Sequence, residues 1–578
     1  MNKGIMWRKG WLILTMLFSV IGLTLSLGYG VPTAQSEAQS DLVYPALNKN
    51  TNIIAFLSNI MGHDEAAAPT QNEGVGLNCR FGVVAGQGQT AWAEEMDIGW
   101  HLTFNTGYDP NTILTNVPMI RIKQDKDNNG TDDYPYDDNY HDSYTVTPPL
   151  TPQGLGARVA ATPGQLWIIG NEPDVRGFQD ETMPDMYARA YHEIYTFIKQ
   201  YDPSAKVSIA GLSTITPGRL NYLDQVWDSY IARYGHPIPV DAWNMHLYIL
   251  AEVQQHTANS PTPLYADGQY ALGTSPSLGK WSPLPGLSDY TQECARSRVY
   301  CRAEHDSFSI FREQIIAMRQ WMKDHGQQEK PLLLSEFSLL YPYITDADGN
   351  CEYLQDEFQN CFTPQRVNAY MDSTVNYLLS ATDPNLGPSF DNGRLVQQWL
   401  WFSLWADPES SGGSSNLLLP NYSDYTPGDL DALSEIGQNY HTHVQSDPLY
   451  INLHGVTGSH TSVSLESNAT TASPTIRAYF YNNGNTAIDD TFVVSFYDED
   501  NGGTVFTSTG ISPSVLGCAR DLYVAEVVWP NLTPGIHHFS ARIDSTNVVN
   551  ETNNNDNIVY GFVIVDGSSL YMPAIARQ

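Results

Sequence analysis

The segment Trp167-Ile-Ile-Gly-Asn-Glu-Pro-Asp174 is an apolar run that ends in glycine and is followed at once by polar residues. A continuous apolar run predicts a strand that is buried on both faces. Pro173 cannot donate to a strand ladder, so we expect Glu172 at the rim of the sheet. A second run, Leu332-Leu-Leu-Ser-Glu-Phe337, also carries a glutamate, Glu336, near its end. The two segments indicate a parallel sheet with acidic groups at the carboxyl ends of its strands.

Short apolar runs alternate with helical stretches over residues 50–445, and this alternation is typical of βα units. Apolar residues recur at helical spacing in Pro184–Gln200, Ser307–His325 and Gln365–Leu379. The pattern predicts a (β/α)8 TIM barrel. The alternative is an open doubly wound sheet, but residues 84–89 lack the full glycine-rich fingerprint that it would need. The eight predicted strands are Cys79–Val84, Trp100–Asn105, Pro118–Gln124, Gln165–Gly170, Lys206–Leu212, Ala242–Tyr248, Pro331–Phe337 and Val396–Leu404.

The charge balance is acidic, with 63 Asp and Glu against 29 Lys and Arg and a net charge of −34. This balance argues against nucleic acid as a partner, because phosphates require a basic surface. It argues equally against docking on anionic lipid, and it suits a neutral polymer.

The N-terminus predicts export. Lys3, Arg8 and Lys9 precede the uncharged apolar run Trp11–Leu27, so residues 1–30 are expected to be a cleaved signal peptide or an uncleaved membrane anchor. Residues 31–49 are a predicted linker. In either case the body of the protein is expected to be secreted or on the extracellular face of the membrane.

The six cysteines suit an oxidising compartment. We expect two local disulfides, Cys294–Cys301 and Cys351–Cys361, although these four residues allow three pairings. The remaining two lie in different predicted domains and are expected to be buried free thiols: Cys79 and Cys518.

Residues 446–567 show strand-like alternation with Asn-rich and Gly-rich turns, which predicts a smaller all-β, immunoglobulin-like sandwich. The stretch from Arg542 to Ile558, which contains Asn550-Glu551 and Asn555-Asp-Asn557, follows Tyr479-Phe-Tyr-Asn-Asn-Gly484. It resembles the bacterial cell-adhesion-related (CARDB-type) sandwich. The resemblance implies an accessory, adhesive or spacer module that associates with a cell surface or cell wall. Residues 568–578 form an apolar C-terminal tail.

By strand count Glu172 and Glu336 end the fourth and seventh strands, and a closed barrel brings such residues to one pocket. Two carboxylates in one cleft are what glycoside hydrolysis needs, one as acid and one as nucleophile. The alternatives are a turn residue that caps a helix for Glu172 and a salt-bridged rim carboxylate for Glu336. No cofactor is required for this chemistry.

The arrangement resembles clan A of the retaining glycoside hydrolases, and most closely family 128, the endo-β-1,3-glucanases. The matching motifs are Gly170-Asn-Glu-Pro-Asp174, His246-Leu-Tyr248 and Ser335-Glu-Phe337. The resemblance implies that Glu172 is the acid/base, Glu336 the nucleophile and Asn171 a ligand of the sugar 2-hydroxyl. The long loop 249–302 departs from a compact barrel.

Further substrate-binding candidates lie on other predicted strands. His246 and Tyr248 share one face of the sixth strand, where they would contact the substrate and the nucleophile or simply form a core pair. One of Trp399 and Trp401 is expected to floor a sugar subsite, and Arg121 is a candidate for the cleft.

Residues 125–133 match part of a calcium-loop pattern, with Asp125, Asp127, Asn129 and Asp133 as oxygen ligands and a glycine for the bend. The alternative is a solvated acidic turn. If an ion binds here, its role is structural.

Two functions follow from these features. The first is a retaining glycoside hydrolase acting on an extracellular polysaccharide. The second is a non-catalytic surface adhesion or carbohydrate-binding protein on a barrel scaffold.

Overall fold

The computed structural model describes residues 74–566 except 87, 108–110, 128–139, 178, 251–269, 276–277, 279–299, 301, 352–354, 357, 457, 467–468 and 513–514. The chain divides into two compact units, Met1–Ala68 and Pro69–Gln578, and every described residue belongs to the second. The predicted export signal, the linker and the tail at 568–578 lie outside the described residues. Among the helices in the described ranges, none is long and apolar enough to cross a membrane.

The first nine strands form one sheet. Their bounds are β1 Asn78–Val84, β2 Ile98–Thr103, β3 Thr115–Lys126, β4 Tyr140–Thr147, β5 Leu166–Ile169, β6 Lys206–Ile209, β7 Trp243–Leu247, β8 Leu332–Phe337 and β9 Gln398–Trp401. Eight of them pair in parallel in the order β6-β5-β3-β2-β1-β9-β8-β7, and β4 pairs antiparallel with β3. A parallel bridge between Ser208 and Ala242 joins β6 to β7 and closes the sheet into a barrel.

The helices surround this sheet. Their bounds are α1 Thr90–Glu95, α2 Ala157–Ala161, α3 Pro184–Tyr201, α4 Pro217–Tyr234, α5 Phe308–Asp324, α6 Pro364–Ser380 and α7 Glu435–Ser446. A π-helical turn spans Pro152–Gly156, and single 3-10 turns lie at Arg302–Glu304, Ser389–Asp391, Gly413–Ser415, Tyr422–Asp424, Leu430–Ala432 and Glu499–Asn501. The sequence at the start of α4 shows why this helix begins there. The Thr216 side chain accepts a hydrogen bond from the Arg219 backbone N–H, and Pro217 occupies the first turn.

Side-chain alternation divides the barrel into two cores. One small cluster fills its interior and takes alternate residues of the strands: Trp100, Leu102, Val117, Met119, Leu166, Ile168, Ala242, Leu333 and Leu400. Apolar neighbours of these residues, among them Trp167, Leu334 and Trp399, belong to a large outer cluster, which packs under the helices. This division is what a closed barrel with a filled interior requires.

The predicted fold class is confirmed. All eight predicted strands are found, and barrel closure excludes the open doubly wound sheet. The main difference is β4, which we did not predict. Its exposed and half-buried residues lie on a hairpin outside the barrel, so they lack the continuous apolar signal of a barrel strand.

The C-terminal part is a sandwich of two sheets, as predicted. Its strands are β10 Leu453–Val456, β11 Ser459–Ser464, β12 Thr475–Asn482, β13 Phe492–Asp498, β14 Thr504–Ile511, β15 Tyr523–Val528, β16 Gly535–Arg542 and β17 Ile558–Asp566. The sheets have the orders β10-β12-β15 and β11-β17-β16-β13-β14. Alternate side chains from both sheets form a separate apolar core.

The sandwich is bonded to the start of the first barrel strand. Arg80 is 1% exposed, and its guanidinium donates to Tyr450 Oη (2.9 Å) and to the backbone oxygens of Asn483 (3.2 Å) and Gln397 (3.2 Å). Asn483 in turn donates to the backbone oxygen of Phe390 at 2.7 Å. These contacts fix the sandwich against the barrel, because breaking the hydrogen bonds of Arg80 would leave a buried charge without partners.

Two cysteine predictions are wrong. Cys79 and Cys518 form a disulfide between β1 and the sandwich rather than remaining as thiols. Cys361 is a free thiol, so the expected Cys351–Cys361 disulfide does not form; each of these two residues instead closes its own short turn through a β-bridge. Cys294 and Cys301 lie outside the described residues.

Candidate active site

Glu172 follows β5, the fourth barrel strand. Its φ of +44° lies in the left-handed region, two residues after Gly170 at +93°. For a residue other than glycine this conformation costs on the order of 1–3 kcal/mol, so it persists only where neighbours hold it. One such neighbour is the Gly211 backbone oxygen, which accepts from the Glu172 backbone N–H at 3.1 Å. The side chain is 12% exposed, so the carboxylate reaches the pocket surface.

A buried aspartate, Asp180, holds the backbone at Asn171, the residue that precedes Glu172. Asp180 accepts from Arg121 Nε (2.6 Å) and from the backbone N–H groups of Ile122 (3.0 Å) and Asn171 (2.8 Å). Asn171 Nδ2 donates to Gln179 at 2.9 Å, while its buried Oδ1 has no partner among the described residues. Arg121 is thus an anchor of the Asn171 loop, and its predicted contact with substrate stays a prediction.

A β-bulge turns Glu336 into the barrel. Leu333 lies in the interior core, so strict alternation would place Glu336 on the outer face. The register shows otherwise. Met245 pairs with Leu334 but His246 pairs with Glu336, and the pairing of β8 with β9 shifts over the same stretch. One extra residue in β8 re-aims the carboxylate, as bulges beside active sites do.

His246 lies between the two glutamates. Its Nδ1 is 2.9 Å from Glu172 Oε1, and its Nε2 is 3.6 Å from Glu336 Oε1. Tyr248 Oη donates to the other oxygen of Glu336, Oε2, at 3.0 Å. One atom from each of Glu172, His246 and Glu336 lies within 4.8 Å of the other two. The structure therefore brings these four predicted site residues together.

The electrostatics of this cluster follow from its burial. Burial raises the pKa of the Glu336 carboxyl to about 7, and the charge of Glu172 adds to the rise, while His246, Tyr248 and Arg121 oppose it. Burial lowers the pKa of His246, but the charges of Glu336 and Glu172 outweigh that effect, so the pKa is raised overall. The pKa of Glu336 therefore lies near neutral pH, the range in which a carboxyl group can exchange a proton during a reaction.

The tryptophan prediction is wrong. Trp399 and Trp401 are both 0% exposed and belong to the outer core. Trp401 donates its indole N–H to the Ser415 backbone oxygen and packs edge-on against Phe337. The reason is alternation: Leu400, between them, is the residue that enters the barrel interior.

Another aromatic residue beside the pocket is Phe402, two positions after Leu400. It is half-buried, and its ring makes edge contacts with Tyr248 (6.4 Å between centroids) and with Phe104 (6.2 Å). Phe402 therefore offers the apolar face that the sequence predicts for a tryptophan.

Within the described ranges, the cluster of Glu172, His246 and Glu336 is also the one group whose spacing could hold a metal ion. In this cluster His246 Nδ1 contacts Glu172 and Tyr248 donates to Glu336 Oε2, while His246 Nε2 and Glu336 Oε1 have no hydrogen-bond partner among the described residues.

Two residues of the predicted calcium loop are described: Asp125 lies in β3, and Asp127 follows the end of this strand. Asp125 accepts from Ser143 Oγ at 2.6 Å, and Asp127 lies 2.8 Å from His141 Nε2. Asn129 and Asp133 lie outside the described residues, so calcium binding here stays a prediction.

No protein-family model matches this chain, and no curated protein matches it. Solved structures with some similarity include a glucosidase from Croceicoccus marinus (11% identity, 81% of this chain and 95% of that chain, TM-score 0.32). A second is an endo-β-1,4-mannanase from Thermotoga petrophila (9% identity, 86% of this chain and 99% of that chain, TM-score 0.28). A third is a CARDB domain from Pyrococcus furiosus (19% identity, 20% of this chain and 96% of that chain, TM-score 0.17). Similarity at this level does not assign an activity to this chain, and the resemblance to family 128 stays a prediction.

Proposed function

We propose that this protein is a retaining glycoside hydrolase, with Glu172 as general acid/base and Glu336 as nucleophile. The observation that carries the proposal is the spacing of the two glutamates: one oxygen from each lies within 4.8 Å of the other, at the mouth of a closed barrel. Retaining enzymes hold their carboxyl groups about 5–5.5 Å apart, whereas inverting enzymes separate them by about 6.5–9.5 Å to admit a water. This spacing supports direct attack by a carboxylate.

In the first step Glu172 gives its proton to the glycosidic oxygen, and ionised Glu336 attacks the anomeric carbon. The bond to the leaving sugar breaks and a glycosyl ester forms on Glu336. In the second step Glu172, now ionised, takes a proton from water, and the resulting hydroxide equivalent attacks the same carbon and frees Glu336. The Tyr248 hydroxyl favours the ionised form of Glu336 before attack.

Asn171 fits the role of a ligand for the sugar 2-hydroxyl, because its buried Oδ1 is free to accept a hydrogen bond. We further propose β-linked extracellular polysaccharide as the substrate, with β-1,3-glucan first on the ground of the family 128 resemblance. Export of the chain and surface association through the sandwich belong to the same proposal.

The test is release of reducing sugar from a panel of β-glucans, xylans and mannans. Wild type should act on at least one polymer, and Glu336→Gln and Glu172→Gln should each lose at least 10³-fold in kcat, the scale expected for a missing nucleophile or acid. The matched control is Glu526→Gln, an exposed glutamate on β15 of the sandwich, which should keep full activity. No release from any polymer would favour the non-catalytic adhesion function.

A further inference from the structure

The backbone just beyond β6 is bonded to both sides of the glutamate pocket. The Gly211 oxygen accepts from the Glu172 backbone N–H at 3.1 Å, and the Leu212 oxygen accepts from the His246 backbone N–H at 3.0 Å. The carbonyl groups of Gly211 and Leu212 therefore fix the backbone positions of Glu172 and His246.

The next residue extends the connection. The Ser213 oxygen accepts from the Tyr248 backbone N–H at 3.4 Å, and Ser213 Oγ donates to Asp174 Oδ2 at 3.0 Å. Asp174 is held in place by Arg219 at 2.7 Å. The segment Gly211–Ser213 thus ties the loop that carries Glu172 to the strand that carries His246 and Tyr248.

Gly211 contributes a second feature, the lack of a side chain. A Cβ at this position would lie 2.2 Å from His246 Cδ2 and 2.5 Å from Nε2, distances that real Cβ atoms do not show. The φ of Gly211 is not in the left-handed region, so its backbone alone does not require glycine. The imidazole ring therefore occupies the space that a side chain would take.

We propose that Gly211 is a positioning residue for the glutamate pair: it admits the His246 ring between the two carboxylates while its carbonyl holds Glu172. This inference rests on the proposed glycosidase function. The groups that face His246 are Glu172 from the loop after β5, Glu336 from β8, the charge of Asp174 and, just after the end of its own strand β7, Tyr248. A displaced ring would lose its 2.9 Å contact with Glu172 and its proximity to Glu336 together.

The test uses four full-length proteins: wild type, Gly211→Ala, His246→Ala and the double variant. In the wild-type background Gly211→Ala should lower kcat on the order of 10²-fold, the scale of a 1 Å misplacement, with KM changed much less. Its kcat–pH profile should also change, because the ring no longer bridges the carboxylates. In the His246→Ala background the added methyl has room, so the second substitution should change kcat less than threefold.

Gly510→Ala is the matched control, because Gly510 lies on β14 of the sandwich and an added Cβ there meets nothing within 4 Å. Equal losses from Gly211→Ala in both backgrounds would overturn the inference, since the effect would then not pass through His246. Full activity of Gly211→Ala with an unchanged pH profile would overturn it as well.

A second measurement separates this inference from the proposed function. The imidazole NMR signals of His246, assigned by their loss in His246→Ala, are titrated in wild type and Gly211→Ala. A shifted titration in Gly211→Ala supports the positioning role even if no polymer is cleaved, in which case only the proposed function fails. An identical titration contradicts it.

Discussion

Replacement of Glu336 by glutamine should stabilise the protein in alkaline solution and leave its stability unchanged in acid. Burial raises the pKa of this carboxyl in the native state to about 7, whereas the unfolded chain returns it to about 4.5. Below the unfolded value both states carry the proton and the group has no effect. As pH rises, the unfolded state releases its proton first, so native stability falls until the native carboxyl ionises as well.

The size of the effect follows from the same two values. The rise of the pKa from about 4.5 in the unfolded chain to about 7 in the native state corresponds to about 3 kcal/mol of lost stability above pH 7. Glutamine is neutral at every pH and can still accept the Tyr248 hydrogen bond. It should therefore recover up to about 3 kcal/mol at pH 8 and almost nothing at pH 4.

The assay is urea unfolding of wild type and Glu336→Gln at several values between pH 4 and pH 8, with Glu526→Gln as the exposed control. A gain that grows with pH, together with lost activity, is the signature of a carboxylate kept buried for function at the expense of stability. A difference between the proteins that is independent of pH, or a loss of stability in Glu336→Gln at pH 8, would refute this reasoning.

Three further outcomes are expected. Tyr248→Phe removes a hydrogen bond that lowers the pKa of Glu336, so the acidic limb of kcat/KM should move up by roughly one pH unit; a fixed limb in a pH–rate profile would contradict the contact. Replacing Cys79 and Cys518 together by serine should destabilise the protein by about 2–5 kcal/mol in urea unfolding, and unchanged stability would contradict the disulfide. Phe402→Ala should lower kcat/KM roughly tenfold through lost ring contact, and a smaller effect than twofold in steady-state kinetics would remove Phe402 from the substrate site.

The sequence carried enough information for the barrel strands and for Glu172. The strands are buried on both faces, so they appear as continuous apolar runs; the run before Glu172 ends in Gly170, and Pro173 follows Glu172. His246 and Tyr248 also follow from simple alternation, because they are two residues apart at the end of β7 and both contact the glutamate pair.

The remainder depends on geometry that no local pattern encodes. Alternation within a strand buried on both faces does not show which face is interior, so the sequence predicts one of Trp399 and Trp401 at the pocket rather than Phe402. The bulge that turns Glu336 inward appears only when β8 is paired with its neighbours.

The longest-range features are the hardest to predict. Cys79 and Cys518 are 439 residues apart and lie in different layers of the molecule, so only the docked sandwich brings them together. The role of Asp180, which anchors the Asn171 loop, is also not visible in the sequence. Only the fold shows that three groups donate hydrogen bonds to its carboxylate.

The most direct test of the paired-glutamate mechanism is the anomeric configuration of the first product. An oligosaccharide of the polymer cleaved best is hydrolysed in an NMR tube, and the anomeric proton is followed before mutarotation equilibrates the sugar. Attack by Glu336 followed by attack of water predicts that the β-anomer appears first. Initial appearance of the α-anomer would contradict a nucleophilic Glu336 and with it the mechanism built on the two glutamates.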